Sequence, residues 1–186
     1  MIKDGTGQGY LARVGPKNRI DMNSRSSNRI YYASRDDNSA YAVTWEHTQA
    51  VGGATEGVGY LTYTGDNTLV IGKVRVSSEE PTGGMTKFGF WVNPTTLAGG
   101  AAKTPVNMNL GSALTSEVTS IHNNDGTAVT ITGGSSVNTI RMCGPYSMLV
   151  VLDNALILTK GTTFAIKSAA VTLGTKTRAT VLYFEE

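Results

Sequence analysis

From residue 40 onward the chain alternates. In Tyr41-Ala42-Val43-Thr44-Trp45-Glu46-His47-Thr48 the bulky side chains fall on every second residue. A period of two places them on one face of a pleated strand, so this run predicts a half-buried β-strand with a bulky inner face. The same rhythm returns along the rest of the sequence. Val58 to Thr64 is a strand, and Thr68 to Ser77 is another, apolar at Val70, Val74 and Val76 with Lys73 and Arg75 between. Gly65-Asp66-Asn67 separates these two runs and reads as the turn of a hairpin. Lys87 to Asn93 carries Phe88, Phe90 and Val92 on one face and Trp91 on the other, and Asn93-Pro94 stops it.

Later segments repeat the theme at Val106 to Leu110, Val118 to Ile121, Val129 to Ile131, Val137 to Cys143, Met148 to Leu152, Ala155 to Leu158, Thr163 to Lys167 and Arg178 to Phe184. Glu79 to Gly84 is a loop by composition, and the small residues of Leu97 to Pro105 predict an exposed loop. Residues 112 to 121 are ambiguous between a short helix or turn and a strand. Nowhere does an apolar 3, 4, 7 spacing persist for more than about two helical turns. Ten or so short strands with turn signals between them predict an all-β, antiparallel β-sandwich or barrel. The long irregular links at 78–86 and 94–105 favour a jelly roll over a meander.

Composition fits this class. Charged residues make up only 16% of the chain and glycine numbers 22, which suits strands and turns better than helices. The predicted organisation is an extended N-terminal arm, residues 1–39, followed by a β-sandwich domain, 40–186. The arm is set apart by Gly5, Gly7 and Gly9, a glycine density that no core element tolerates. It also holds seven of the sixteen basic side chains, against four acidic ones. Guanidinium groups there could grip carboxylates on a protein surface in two-point fashion, or simply be solvated. A formal net charge of +2 gives no basis for nucleic-acid binding. No run reaches the ~18–20 apolar residues of a membrane-spanning helix, and no apolar signal segment opens the chain. A soluble protein made in the cytoplasm is expected.

Catalytic signals are thin. His47 sits on the bulky face of a strand and reads as structural, while His122 precedes the turn-like Asn123-Asn124-Asp125-Gly126 and reads as exposed. Neither has Cys or Glu at ligand spacing, so no metal site and no cofactor are expected. Cys143, the single cysteine, lies in a strand-like run and reads as a buried structural thiol. There is no Gly-x-Ser-x-Gly elbow, and Gly5-Thr6-Gly7-Gln8-Gly9 lacks the lysine and flanking elements of a phosphate loop. The acidic pairs Asp36-Asp37, Glu79-Glu80 and Glu185-Glu186 are adjacent residues, which point to opposite faces in a strand. A glycosidase would need two carboxyls at a controlled separation.

The opening Ile2-Lys3-Asp4-Gly5-Thr6-Gly7, with Gly9-Tyr10, Ala12, Val14 and Asn18-Arg19, resembles the start of small structural proteins of tailed-bacteriophage virions, of the head-decoration or cement type. The likeness extends more weakly to Val106–Ser112, Ile157–Ile166 and Val181–Glu186. It implies a non-enzymatic capsid-surface protein whose partner is the major capsid protein. It also implies a homotrimer, since decoration proteins sit at threefold or quasi-threefold points. The docking residues expected in the arm are Ile2, Lys3, Asp4, Tyr10, Arg13 and Arg19, with Arg25 and Arg29 next. A neck, head-fibre or tail-spike part of the same virion, in a host-binding role, is the alternative.

Overall fold

The computed structural model describes residue 34 and residues 39–123 and 128–186. Its strands are β1 (Ala40–Thr48), β2 (Glu56–Tyr63), β3 (Leu69–Ser78), β4 (Met85–Val92), β5 (Thr96–Gly99), β6 (Ala101–Ala102), β7 (Val106–Asn107), β8 (Val118–His122), β9 (Val129–Thr132), β10 (Ser135–Cys143), β11 (Ser147–Leu158), β12 (Thr163–Ala170) and β13 (Lys176–Glu185). Two antiparallel sheets pack face to face. The first runs β11-β3-β13-β1-β7 and the second β10-β4-β12-β2-β8-β6, with β9 bonded to β2 and β5.

The strand order is that of a jelly roll. Pairing is nested: Ala40 with Phe184, Thr62 with Thr163, Ser77 with Ser147, and Met85 with Cys143. The chain is thus one long antiparallel ribbon, β1–β4 against β10–β13, rolled so that successive strands cross between the sheets. One expectation changes accordingly. Residues 64–68 do not close a β2–β3 hairpin, because β2 and β3 belong to different sheets. Local turn chemistry marked the bend but not its partner, which lies far along the chain.

The core sits between the sheets. Tyr41, Val43 and Trp45 face inward from β1, Phe88 and Phe90 from β4, and Val181 and Tyr183 from β13. Tyr41 stacks on Tyr183 with ring centroids 5.7 Å apart, and Phe90 on Phe164 at 6.2 Å. Trp45 is fully buried and donates its indole N–H to Ser120 Oγ at 2.8 Å. Its ring lies against the backbone of Gly59, where a β-carbon would come within 2.5 Å of it, so glycine is the residue that fits.

The inner face of β3 is Leu69, Ile71, Val74 and Val76, not Val70, Val74 and Val76. Pairing with β13 shifts between Leu182 and Tyr183, leaving Gly72 without an opposite residue. One extra residue reverses which parity faces inward. Val70 therefore lies on the outer face, clustered with Ala40 and Phe184.

Residues 93–134 form an insertion at the closed end of the ribbon. The expected loop at 97–105 contains β5 and β6, which pair with β9 and β8. Residues 112–117 form no helix. Val129 and Ile131 of β9 pack over Ala165, Tyr60 and Trp91 on the outer side of the second sheet. Among the described residues no helix is long and apolar enough to cross a membrane.

Candidate functional site: a presented apolar loop end

Four loops gather at one end of the jelly roll: 49–55, 79–84, 144–146 and 171–175. Backbone hydrogen bonds join them, from Gly53 N to Ala170 O, Gly144 N to Gly84 O, Ser78 N to Tyr146 O and Val171 N to Met85 O. Large apolar side chains stand out from this end. Val51, Val171, Leu173 and Tyr146 are all more than half exposed, Leu173 at 66%, and Met85 is partly so.

Buried polar side chains hold these loops in place. Gln49, almost fully buried, donates to the carbonyls of Val51 and Ala54 at 2.8 Å and accepts from Ala170 N at 3.1 Å. Glu56 accepts from the N–H groups of Ala50 and Val51 at 2.9 and 2.7 Å. Both backbone groups of Val51 are therefore fixed while its side chain faces water. Glu80, completely buried, accepts from Thr172 N at 3.0 Å, from the Thr172 hydroxyl, and from the Thr175 hydroxyl at 2.9 Å. That clamps the backbone between Val171 and Leu173. Gly52 passes so close to Val171 that a β-carbon would lie 2.7 Å from its carbonyl. The loop end is a rigid display of apolar side chains. The hydrogen-bonded carboxylates of Glu56 and Glu80 and the amide of Gln49 form its foundation.

His47 belongs to this foundation. It is buried, with Nδ1 2.7 Å from the Asn123 amide and Nε2 2.9 Å from Glu56, the latter without hydrogen-bond alignment. Burial lowers its pKa below the ordinary imidazole value, against an opposing pull from Glu56. Its structural reading from the sequence holds. His122 is buried at the end of β8, opposite Gly59, and not exposed at a turn. The strand persists further than its polar sequence suggested. Cys143 is exposed, not buried. On the sheet-edge strand β10 the alternation gives the core position to Met142 and turns Cys143 outward with Arg141.

The adjacent acids Glu79 and Glu80 separate within their loop. Glu80 is buried while Glu79 lies at the surface, 3.6 Å from Arg178. Glu185 accepts from Ser116 Oγ at 2.6 Å and from Glu117 N at 3.0 Å, and burial raises its pKa. At the opposite end of the molecule Asp66 and Glu186 line an open hollow of about 460 Å³ with Lys160. The Lys160 ammonium beside Asp66 lowers that carboxyl's pKa, the reverse of what a general acid needs. Among the described residues no cluster of His, Cys, Asp or Glu could hold a metal ion. The expected docking residues Ile2, Lys3, Asp4, Tyr10, Arg13, Arg19, Arg25 and Arg29 lie outside the described residues.

The apolar loop end had no signature in the sequence. Val51, Val171 and Leu173 fall in three short loop segments with no periodicity, and only the nested pairing brings them together. The two edge strands add further apolar surface. Leu149 and Val151 of β11 and Val137 of β10 are about half exposed, flanked by Arg75 and Lys73 of β3 and by Arg141.

No family model matches the chain, and no curated protein matches it. Solved structures that it resembles include infectious bursal virus-derived T=1 particles, at 14% identity and a TM-score of 0.22 over 78% of this chain and 39% of that one. The infectious bursal disease virus VP2 subviral particle is another, at 14% identity, a TM-score of 0.22, and 78% and 41% coverage. The chain spans about two-fifths of the length of those proteins. So loose a superposition adds nothing to the fold assignment, which stands on strand order and register.

Proposed function

We propose that the protein is a non-enzymatic structural part of a tailed-phage virion, a decoration or cement protein on the outer surface of the head. The observation that carries an assembly role is the loop end, where buried Gln49 and Glu80 and half-buried Glu56 hold exposed Val51, Val171 and Leu173 in fixed positions. A rigid apolar projection on a stiff β-domain is organised to contact another surface without an ordering cost. The likeness of the opening residues to phage head proteins narrows the partner to the major capsid protein. The N-terminal segment, with Ile2, Lys3, Asp4, Tyr10, Arg13 and Arg19, supplies a second anchor. Three copies around a threefold point match the role, with strand faces as the subunit contact.

The test is stoichiometric. Purified virions should contain the protein in on the order of hundreds of copies, spread over the head lattice in a particle map. About three to eighteen copies, confined to a neck or spike, would instead assign it to a fibre or collar. Absence from virions would overturn the proposal. The native mass of the isolated protein should be three times its chain mass.

A further inference from the structure

The strands of the second sheet carry little charge, and its placement is one-sided. Their only carboxylate, Glu56 on β2, is taken up by His47 and by the N–H groups of Ala50 and Val51. Their cations are Lys87 on β4, Arg141 on β10 and Lys167 on β12. Each alternates with core neighbours (Phe88, Met142 and Ile166), so all three stand on the outer face. Arg141 and Lys87 are directly opposite each other in register. Lys167 is opposite Gly89, two residues along β4 from Lys87. The Trp91 ring lies back over Gly89, where a β-carbon would come within 2.8 Å of the indole nitrogen. Against that ring rests the Lys167 ammonium, 4.1 Å from its centroid, on a residue only 9% exposed. β9 closes the other side, over Gly57, the neighbour of Lys167 on β2. Among the described residues none of the three cations has a carboxylate partner. On the first sheet, by contrast, Arg178 is paired with Glu46 and Glu79.

We infer that Lys87, Arg141 and Lys167 form a docking patch for an acidic, extended segment of a protein partner. Like charges directly opposite across a strand pair cost stability. A nearly buried ammonium without a counter-ion costs more, and an indole face offsets only part of that. Both costs are relieved when carboxylates bridge the patch. The spacing suits an extended chain. The step along β4 from Lys87 to Gly89 is about 7 Å, the interval at which a strand presents alternate side chains on one face. One carboxylate would meet the Arg141 guanidinium and Lys87, and the next would meet Lys167 beside the indole. A nucleic acid is the poorer fit, because its grip comes from neutralising many phosphates in succession. Here the cations span only β10, β4 and β12, between the sheet edge and the apolar cover of β9. The patch is also continuous with the loop end, since Met85 lies two residues before Lys87 on the same strand. The inference does not rest on the virion reading.

The test titrates the full chain into a fluorescently labelled oligoglutamate peptide at low salt and follows anisotropy. A Lys87→Gln/Arg141→Gln variant is compared with an Arg75→Gln/Lys176→Gln variant, which removes two exposed cations from the first sheet. All four positions are exposed, so both variants should fold. The expected result is saturable binding that weakens about tenfold in the first variant and is unchanged in the second. Unlabelled peptide should also shift the emission of Trp91, Trp45 being enclosed in the core. A single-stranded oligonucleotide of matching charge should bind less tightly than the peptide. Equal weakening in the two variants, no binding of the peptide, or tighter binding of the oligonucleotide would overturn the inference.

Discussion

Each of the two sheets has an apolar outer face, and the two faces are finished differently. On the second sheet the insertion folds back. Val129 and Ile131 cover Ala165, Tyr60 and Trp91, and Lys167 is left only 9% exposed with its ammonium 4.1 Å from the Trp91 ring. On the first sheet Val70 and Phe184 are just as deeply buried, yet no described strand covers them. A jelly roll needs only one apolar face per sheet. Apolar residues on the other face mark a place where more chain, or another molecule, must come to rest. The loop end is the third case, apolar and open, with its backbone fixed from below. Covered and presented surfaces therefore divide the molecule into what holds it together and what it leaves open, the latter being the surface that the proposed function would use.

The largest effect should come from the first sheet. Phe184→Ala, at a position with almost no exposure, is expected to cost about 3–5 kcal/mol in chemical denaturation. Leu149→Ser on the same face but at the open edge should change stability by no more than about 0.5 kcal/mol. Equal effects at the two positions would mean that Phe184 is not covered.

On the second sheet, Ile131→Ala is expected to cost about 2 kcal/mol. It should also let water reach Lys167, whose pKa is lowered by burial. That pKa should move back up towards the ordinary lysine value, followed by NMR of the side chain. A stability loss with no movement at Lys167 would mean that something other than β9 keeps the ammonium dry.

A smaller effect separates the interior from both faces. Burial depresses the His47 pKa in the folded protein, so below about pH 6.5 the unfolded chain takes up a proton that the native state resists. Stability from this group is complete above that pH and falls on acidification through the folded pKa. Glu185 works in the opposite sense, because its pKa is raised. Its contribution is greatest in acid and is lost as pH rises from the ordinary carboxylate value through the folded one. Denaturation midpoints across pH 4–7 should therefore show a His47 component that His47→Gln removes. An unchanged profile in that variant would contradict the assignment.

Much of the fold was legible because period two carries it. The inward faces of β1 and β4 follow directly from Tyr41, Val43, Trp45, Phe88 and Phe90. At β3 the same rule holds for Val74 and Val76 but fails before Gly72, since a bulge reverses parity without changing composition, and so Val70 lies on the other face from them. Hairpin logic failed at Gly65-Asp66-Asn67 because a tight polar link serves equally well for a crossing between sheets. Cys143 was misread through its neighbours: a strand at a sheet edge leaves alternate residues in water whatever their type. The candidate surface was hidden for a different reason. Its side chains come from separate loops, and their supports, Gln49, Glu56 and Glu80, look like ordinary surface residues until tertiary pairing buries or engages them.

The most direct test of the division between covered and presented surface uses a full-length variant with Val51, Val171 and Leu173 all changed to serine. These exposed positions should tolerate the change with little loss of thermal stability. Co-sedimentation with undecorated heads measures the consequence. The expected result is a folded protein whose head occupancy drops sharply at concentrations that saturate the unmodified chain. Saturation by the variant at the same concentrations would contradict the claim that the loop end is the surface this protein offers to its partner.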